Sequence, residues 1–400
     1  MEKVSNSQII FCKRCVESNQ RYIGSVPFAD TKTSIKQRTS FEDEICGACK
    51  YSEYKKTIDW KARENELIKI LDKYRKYNGE YDVLIPGSGG KDSIFLSHVL
   101  KYKYKMNPLT VTWSPHIYTD IGLHNLRAWH EMGFDNELHT PNPRVHKKLT
   151  YLAFKNLLHP FQPFVLGQHN LAPRLAIEKK IKLIIYGDAY FEKGVGGNIY
   201  SISGIKNGAL FSTDNSDLYF GGVHISELKK YGISNNDIKP YLPLKKNEVE
   251  DKDLTVLDLP YYLNYNPQDN FYFASENSDF KVNPYRSEGT YTKYSSLDDK
   301  LDNLHFYTWF IKTGRGRATE DAALEVRNNI ITREEAVALI KKYDGEFPHK
   351  YFKDILNYLE IDEKEFNQII DKFRPKHIWK KEKDNWVLRS AVWMKDSGKK

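Results

Sequence analysis

Residues Tyr81–Leu100, YDVLIPGSGGKDSIFLSHVL, decide how this chain is read. Val83, Leu84 and Ile85 predict a short buried strand, and Ile94, Phe95, Val99 and Leu100 the apolar face of a helix. Between them lies the turn Ser88-Gly89-Gly90-Lys91-Asp92-Ser93. Two adjacent glycines let the backbone run close to a ligand without Cβ strain. A helix that starts at this turn aims its free N–H groups back at it, which favours an anion. Ser88 and Ser93 add hydroxyls, Lys91 adds a positive charge, and Asp92 suits a magnesium ion. The combination is a cradle for pyrophosphate.

The cradle is neither a Walker loop, whose lysine-serine pair and glycine spacing are missing, nor a dinucleotide fingerprint, since G-x-G-x-x-G is absent. The plain alternative is a glycine turn carrying solvated polar residues. The pattern S-G-G-x-D-S resembles the loop of the ATP pyrophosphatases, the PP-loop superfamily. That resemblance implies an α/β fold with a doubly wound, mostly parallel sheet, and ATP bound at Ser88, Gly89, Gly90, Lys91, Asp92 and Ser93. It further implies cleavage of ATP between the α and β phosphates. A substrate carbonyl oxygen is adenylated, and a nucleophile then displaces AMP.

The whole-chain numbers bound the rest. With 400 residues, 40% hydrophobic and 28% charged, the sequence describes a globular protein of one large α/β domain plus appendages, or of two to three units. No run of eighteen apolar residues exists, and the N-terminal residues carry no apolar signal core, so a cytoplasmic protein without membrane contact is expected. A net charge of +8 fits a phosphate-bearing ligand and also permits RNA, and being dispersed it does not choose between them.

All four cysteines fall in the first fifty residues, as Cys12-Lys-Arg-Cys15 and Cys46-Gly-Ala-Cys49. Each C-x-x-C knuckle places two thiolates on one side of a turn, and two knuckles suit a tetrahedral, structural zinc site. Redox-active pairs and simple free thiols are the alternatives. No cysteine is left elsewhere for sulfur relay or an iron–sulfur cluster.

Further along, residues 58–79 predict an amphipathic helix, and Leu109–Trp113 a β-branched strand whose end, with Trp113, Ser114 and His116, would lie beside the nucleotide. A helix over 120–133, a strand over 134–138 and helices over 144–158 and 172–180 follow. The apolar run 181–186 is a buried strand ending at Gly187. Gly187 would border the nucleotide, and Asp188 and Glu192 would join Asp92 around magnesium. A helix is expected within 217–230, two more over 349–359 and 363–373, then a basic, aromatic tail with Trp379, Trp386 and Trp393. The expected organisation is a zinc-binding segment over 1–60, the ATP-splitting domain over 61–258 and a mostly helical, substrate-binding region over 259–400.

Two late segments, Arg286–Asp302 and Gly314–Arg327, are dense in arginine, acid, hydroxyl and glycine. Arginine forks bind carboxylate or phosphate, and acids and hydroxyls suit a sugar. Well-capped surface helices are the alternative. With these blocks the chain resembles the N-acetyl sugar amidotransferase family of surface-polysaccharide biosynthesis, which makes acetamidino sugars for O-antigens and pseudaminic-type acids. The resemblance runs nearly full length, through the two knuckles, P-G-S-G-G-K-D-S, P-F-Q-P-F-x-x-G-Q-H, R-S-E-G-T-Y-T-K-Y-S-S-L-D-D-K, G-R-A-T-E-D-A, T-R-E-E-A, K-K-Y-D-G and W-V-L-R-S.

The family resemblance implies that a sugar N-acetyl group is converted to an acetamidino group with ATP, Mg2+ and a structural Zn2+. Lys91 and Asp92 would be catalytic. The sugar, expected as a nucleotide-activated acetamido sugar, would contact Arg286, Glu288, Thr290, Tyr291, Lys300, Arg315, Arg317, Thr319 and Asp321. The chain holds no cysteine or serine arrangement for a glutaminase, so ammonia is expected from a separate glutaminase subunit, with a cyclase-like partner by resemblance. No nucleic-acid partner is expected. The rivals are a tRNA-modifying enzyme of the lysine-ligating kind, and a silent zinc-knuckle module that keeps nucleotide affinity.

Overall fold

The computed structural model of the protein describes residues 9–20, 39–187 and 203–395. The predicted magnesium ligands Asp188 and Glu192 lie outside these described residues.

The first ordered ladder, Phe41–Glu42 (β1) with Ile45–Cys46 (β2), runs directly into Gly47–Lys55 (α1). Trp60–Tyr74 (α2) begins at Asp59, whose carboxylate accepts the Ala62 amide, and buries Leu67 and Leu71. The α/β alternation follows: Val83–Pro86 (β3), Lys91–His98 (α3), Pro108–Trp113 (β4), Asp120–Glu131 (α4), Asp135–His139 (β5), Pro143–Leu157 (α5), Gln162–Glu178 (α6) and Leu183–Tyr186 (β6). After Ile205–Asn207 (β7) come the small ladder Tyr219–Phe220 (β8) and Val223–His224 (β9), then Lys246–Val249 (α7) and Thr255–Asp258 (β10). Helices complete most of the chain: Pro267–Asn277 (α8), Asp302–Thr313 (α9), Arg317–Arg327 (α10), Arg333–Tyr343 (α11), Phe352–Leu359 (α12) and Glu363–Lys372 (α13). Trp379–Glu382 (β11) and Asn385–Leu388 (β12) form a closing hairpin.

The main sheet has the order β5-β4-β3-β6-β10-β7, parallel throughout except for the edge strand β7. This is the predicted α/β class with a mostly parallel sheet. Strand alternation explains the layers. Val83 and Ile85 turn to one face and pack with Leu67, Leu71 and Leu96 from α2 and α3. Leu84 turns to the other and packs with Ala172, Leu175 and Ala176 of α6. Helices thus cover both faces, and the order reverses at β3 and β6. A crevice opens where the carboxyl ends of those two strands diverge.

Three local expectations differ from the structure. The helix expected from Ala172 begins at Gln162 and passes through Pro173; Pro163 sits in its first turn, where a missing N–H costs nothing. The helix expected within 217–230 is a β8–β9 turn followed by a short 3-10 helix over Ile225–Tyr231. The basic aromatic tail is a hairpin, with the Arg374 guanidinium over the rings of Trp379 and Trp386 at 4.5 and 5.6 Å. Cation–π stacking accounts for that composition without a ligand.

Backbone and side-chain bonds tie the C-terminal region to the chain just beyond β4. Lys300 donates its amide to the Ile117 carbonyl at 3.0 Å, and Thr119 donates to Asp298 at 3.1 Å. The Asp299 carboxylate accepts from the His116 amide at 2.8 Å and meets its ring Nδ1 at 2.6 Å. Gly122 makes this approach possible, since a Cβ there would lie 2.4 Å from the Asp298 Cα. Residues 297–300 are thereby held just beyond the end of β4, facing the glycine turn. No helix among the described residues is long and apolar enough to cross a membrane.

Candidate functional site

The turn after β3 is built as an anion cradle. Gly90 stands at the start of α3 with no side chain capping the helix, so the first amides of α3 remain directed at the turn. Gly89 has φ +81°, and a Cβ there would come within 2.8 Å of the Asn125 carbonyl oxygen. A larger residue would therefore strain the backbone and strike α4. The Ser88 amide donates to Ser93 Oγ at 3.1 Å, closing the turn on itself. Ser97 Oγ donates to the Ser93 carbonyl and accepts from Trp129 Nε1, both at 2.7 Å, which pins α3 to α4 behind the loop.

Lys91 Nζ meets Asp92 Oδ2 at 2.5 Å. The other oxygen of Asp92 accepts from Asn270 Nδ2 at 2.8 Å and Tyr265 OH at 3.2 Å. Burial alone would raise the Asp92 pKa, but the Lys91 charge and these hydrogen bonds outweigh it and hold the carboxyl below its ordinary range. Three donors occupy most of a carboxylate's acceptor positions. Asp92 is thus held by its own neighbours, and among the described residues the cysteines form the one group of three or more that could hold a metal ion.

A cavity of about 420 Å³ opens in front of the loop. Ser88, Lys91, Asp92 and Ser93 line its floor, and Gly187 and Tyr186 mark the end of β6. Val111, Trp113, Leu171 and Ala172 give one side an apolar wall. Trp113 is 3% exposed, so it is both wall and core. The opposite wall is polar and comes from α10 and its approach: Ser295, Arg317, Glu320, Asp321 and Glu325. A smaller cavity of about 170 Å³ lies on the other side of the turn, between Gly89, Gly90, Asn125 and Asp298, and again borders Lys91 and Arg317.

The predicted substrate residues separate into two groups. Arg317 and Asp321 line the main cavity. Arg317 Nε donates to Asp321 Oδ1 at 3.0 Å and its Nη2 to Ser295 Oγ at 3.2 Å, with the guanidinium 4.5 Å from the Phe306 ring. Thr290 and Tyr291 stand behind this wall: Thr290 Oγ1 donates to Asp321 at 2.6 Å and Tyr291 OH to Glu325 at 2.7 Å.

The remaining five are consumed by internal pairing and do not line that cavity. Arg286 forms a bidentate pair with Glu346 at 2.6 and 2.7 Å. Glu288 accepts the Lys350 amide at 2.9 Å, and Lys300 pairs with Asp354 at 3.1 Å. Arg315 is 1% exposed and pairs with Glu17 at 2.8 Å. Thr319 Oγ1 donates at 2.6 Å to Asp344, which also takes the Gly316 amide at 2.8 Å and so caps α10. Arg315, buried and paired, has no fork left to offer a ligand.

Tyr265 and Asn270 lie outside the two segments singled out in the sequence, and Ser295, Glu320 and Glu325 lie within them without being named individually. Asn270 had a readable signal: Asn266-Pro267 is a helix start, and Asn270 follows one turn later, on the α8 side that meets α3.

The four cysteines converge although thirty residues separate the knuckles. Their sulfurs lie within 4.8 Å of one another, all buried, with Cys12 and Cys49 at 3.8 Å and Cys15 and Cys46 at 3.6 Å. These separations exceed a disulfide bond of about 2.05 Å. They match the edge of a tetrahedron of thiolates about 2.3 Å from one central ion. The Glu17 amide donates to Cys15 Sγ at 3.5 Å and the Cys46 amide to Cys12 Sγ at 3.4 Å, as thiolates require. The cluster can hold a metal ion.

Residues 288–392 match the family model described as LPS biosynthesis protein WbpG-like, C-terminal domain. No curated protein matches the chain. Among solved structures, a predicted subunit of tRNA methyltransferase from Methanocaldococcus jannaschii is 14% identical, covering 53% of this chain and 81% of its own, with a TM-score of 0.24. The U34-tRNA thiolase NcsA from Methanococcus maripaludis, solved with its [4Fe-4S] cluster, is 12% identical, covering 78% of this chain and 89% of its own, with a TM-score of 0.28. Both are distant structural neighbours.

Proposed function

We propose that this protein is an ATP-dependent enzyme of surface-polysaccharide biosynthesis that converts a sugar N-acetyl group to an acetamidino group. The observation that carries the reading is a single cavity. It joins the glycine turn Ser88–Ser93 to Arg317, Asp321 and Glu325, which belong to the segment similar to an LPS biosynthesis domain.

An amide carbonyl is a poor electrophile. Attack of its oxygen on the α-phosphorus of ATP forms a C–O–P bond and releases pyrophosphate. Ammonia then adds to the activated carbon, and AMP leaves with the C–O bond, giving the amidine and a proton. Lys91 and the free amides of α3 are placed to stabilise pyrophosphate as it departs, a role worth about 10²–10³ in rate per donor. Asp92, itself fixed by Asn270 and Tyr265, orients Lys91. The apolar wall of Val111, Trp113, Leu171 and Ala172 suits a purine ring, and the polar wall of α10 suits sugar hydroxyls. Ammonia is assigned to a separate glutaminase partner, and the four-cysteine cluster to a structural zinc ion, whose bond lengths agree with the sulfur spacing.

The test is mass spectrometry of candidate nucleotide-linked acetamido sugars incubated with ATP, Mg2+ and ammonia. The expected product is lighter by about one mass unit, oxygen exchanged for NH, and appears with AMP. AMP formation that depends on tRNA and ignores every sugar would overturn the reading.

A further inference from the structure

We infer that Arg327 is the counter-charge of the metal–thiolate centre, and that this centre fixes the position of α10, the helix that forms the polar wall of the cavity. The inference rests on the metal reading of the cysteine cluster and not on the reaction assigned to the cavity.

Two faces of one helix make the connection. Arg317, Asp321, Glu325 and Asn328 follow at intervals of four, four and three and look into the cavity. Ala322 and Ala323, on the opposite side, pack against the cysteines, with Ala336 and Ile340 of α11 beside them. Alanine at both positions lets the backbone of α10 come close to the cluster. At the last residue of the helix, Arg327 turns back and its Nη1 donates to Cys15 Sγ at 3.8 Å, with the residue 8% exposed.

Charge explains why an arginine sits there. Four thiolates around a divalent ion leave a doubly negative centre, and a buried charge is tolerated when a cation and hydrogen-bond donors neutralise it. Arg327 supplies both. Two further arginines from the same stretch clamp the same turn of chain. Arg315 pairs with Glu17, two residues beyond Cys15, at 2.8 and 3.1 Å, and Arg333 Nε donates to the Cys15 carbonyl at 3.2 Å. Ser52 of α1, just after Cys49, donates to the Arg327 carbonyl at 3.1 Å. The knuckles therefore grip α10 at both ends, and without the ion their sulfurs lose the centre that holds them together.

The experiment uses the full chain loaded with zinc. Competition with a chromophoric chelator measures metal affinity for wild type, Arg327→Gln and Arg327→Lys. Hydrogen exchange is followed on the wild type before and after zinc is removed. Loss of a partner to a metal ligand typically costs 10–100-fold in affinity, and Arg327→Gln is expected to lose about that much while Arg327→Lys recovers most of it. Removal of zinc is expected to speed exchange over 317–327 while 83–86 and 108–113 stay protected. Affinity of Arg327→Gln within about twofold of wild type, exchange over 317–327 unmoved by zinc removal, or a chain that binds no zinc would each overturn the inference. Should Arg327→Gln not fold, the wild-type exchange experiment and Arg327→Lys decide. Neither readout uses ATP or a sugar, so failure here is separate from failure of the proposed reaction.

Discussion

Asn270 holds Asp92: its side-chain amide donates to Oδ1 at 2.8 Å while Lys91 holds the opposite oxygen. The contact reaches from α8 to the first turn of α3 and is the main polar bond between those helices. A hydrogen bond to a charged group is worth about 1.5–3 kcal/mol, so Asn270→Ala is expected to lower unfolding stability by roughly that amount. It should also slow AMP formation, because Lys91 loses its oriented partner. Urea denaturation and an AMP assay on the same preparation check both effects. Reduced stability with unchanged turnover would separate Asn270 from the loop's chemistry.

Lys91→Ala removes the one side-chain cation of the glycine turn. The expected result is a folded protein whose melting temperature falls modestly, because Asp92 loses its charged partner, and AMP formation down by at least about 10²-fold. Near wild-type turnover would remove Lys91 from the mechanism.

Arg315 and Arg317 stand two positions apart and should behave differently. Arg315 is buried against Glu17, and breaking a buried pair by removing one partner costs about 3–5 kcal/mol. Arg315→Met should therefore be detected as a loss of thermal stability. Arg317→Met should lower melting less, since its pair with Asp321 is partly open to the cavity, and should weaken binding or turnover there. A steady-state titration beside a melting curve distinguishes the two, and a reversed pattern would contradict the placement of both residues.

Burial pushes the Asp302 carboxyl up to about 7, against the opposing pull of Arg317 and a Ser296 hydrogen bond and with Asp298 and Asp299 adding repulsion. In the unfolded chain an aspartate titrates near about 3.9. Between these values the folded protein keeps a proton that the unfolded chain has released. Its contribution to stability is thus complete below about pH 4 and is lost as pH rises through about 7. Asp302→Asn removes the titration. Its melting temperature should decline less than that of wild type between pH 5 and pH 8, and parallel declines would show that Asp302 does not titrate there.

Cys12→Ser and Cys46→Ser each delete one vertex of the sulfur tetrahedron. Metal content by atomic absorption and thermal stability should fall together. Full metal occupancy with unchanged melting would rule out a structural ion at this cluster.

The sheet and the loop were legible because their signals are local. Val83–Ile85, the glycine turn and the apolar face of α3 lie within twenty residues, and Leu183–Tyr186 is an uninterrupted apolar run. The cysteine knuckles were legible because their spacing is a chemical pattern. The polar residues after Arg286 were harder, because composition does not reveal direction. Arg315 and Arg317 look alike in sequence, but Arg315 lies in the approach before α10 and turns inward to Glu17, whereas Arg317 opens the helix and faces the cavity. The partners of Arg286 and Thr319, Glu346 and Asp344, lie sixty and twenty-five residues away on another helix end, which no local period indicates. The aromatic tail was opaque for a different reason: a hairpin stacked by Arg374 and a ligand-binding strip share one composition.

The contact between Cys15 and Arg327 spans 312 residues of sequence. At a synthesis rate of about 5–20 residues per second, the first knuckle leaves the ribosome roughly 15 to 60 s before its counter-charge exists. The second knuckle follows the first within seconds, so all four thiols are available to a metal ion long before α10 and α11 arrive to cover them. Metal capture can therefore precede docking during biosynthesis, and the loaded knuckle then serves as a preformed surface onto which the last quarter of the chain closes. Mature protein has the reverse problem, since an ion lost from beneath α10 must return through a packed wall. Metal supplied during translation is therefore expected to load the cluster more fully than metal added to the folded protein.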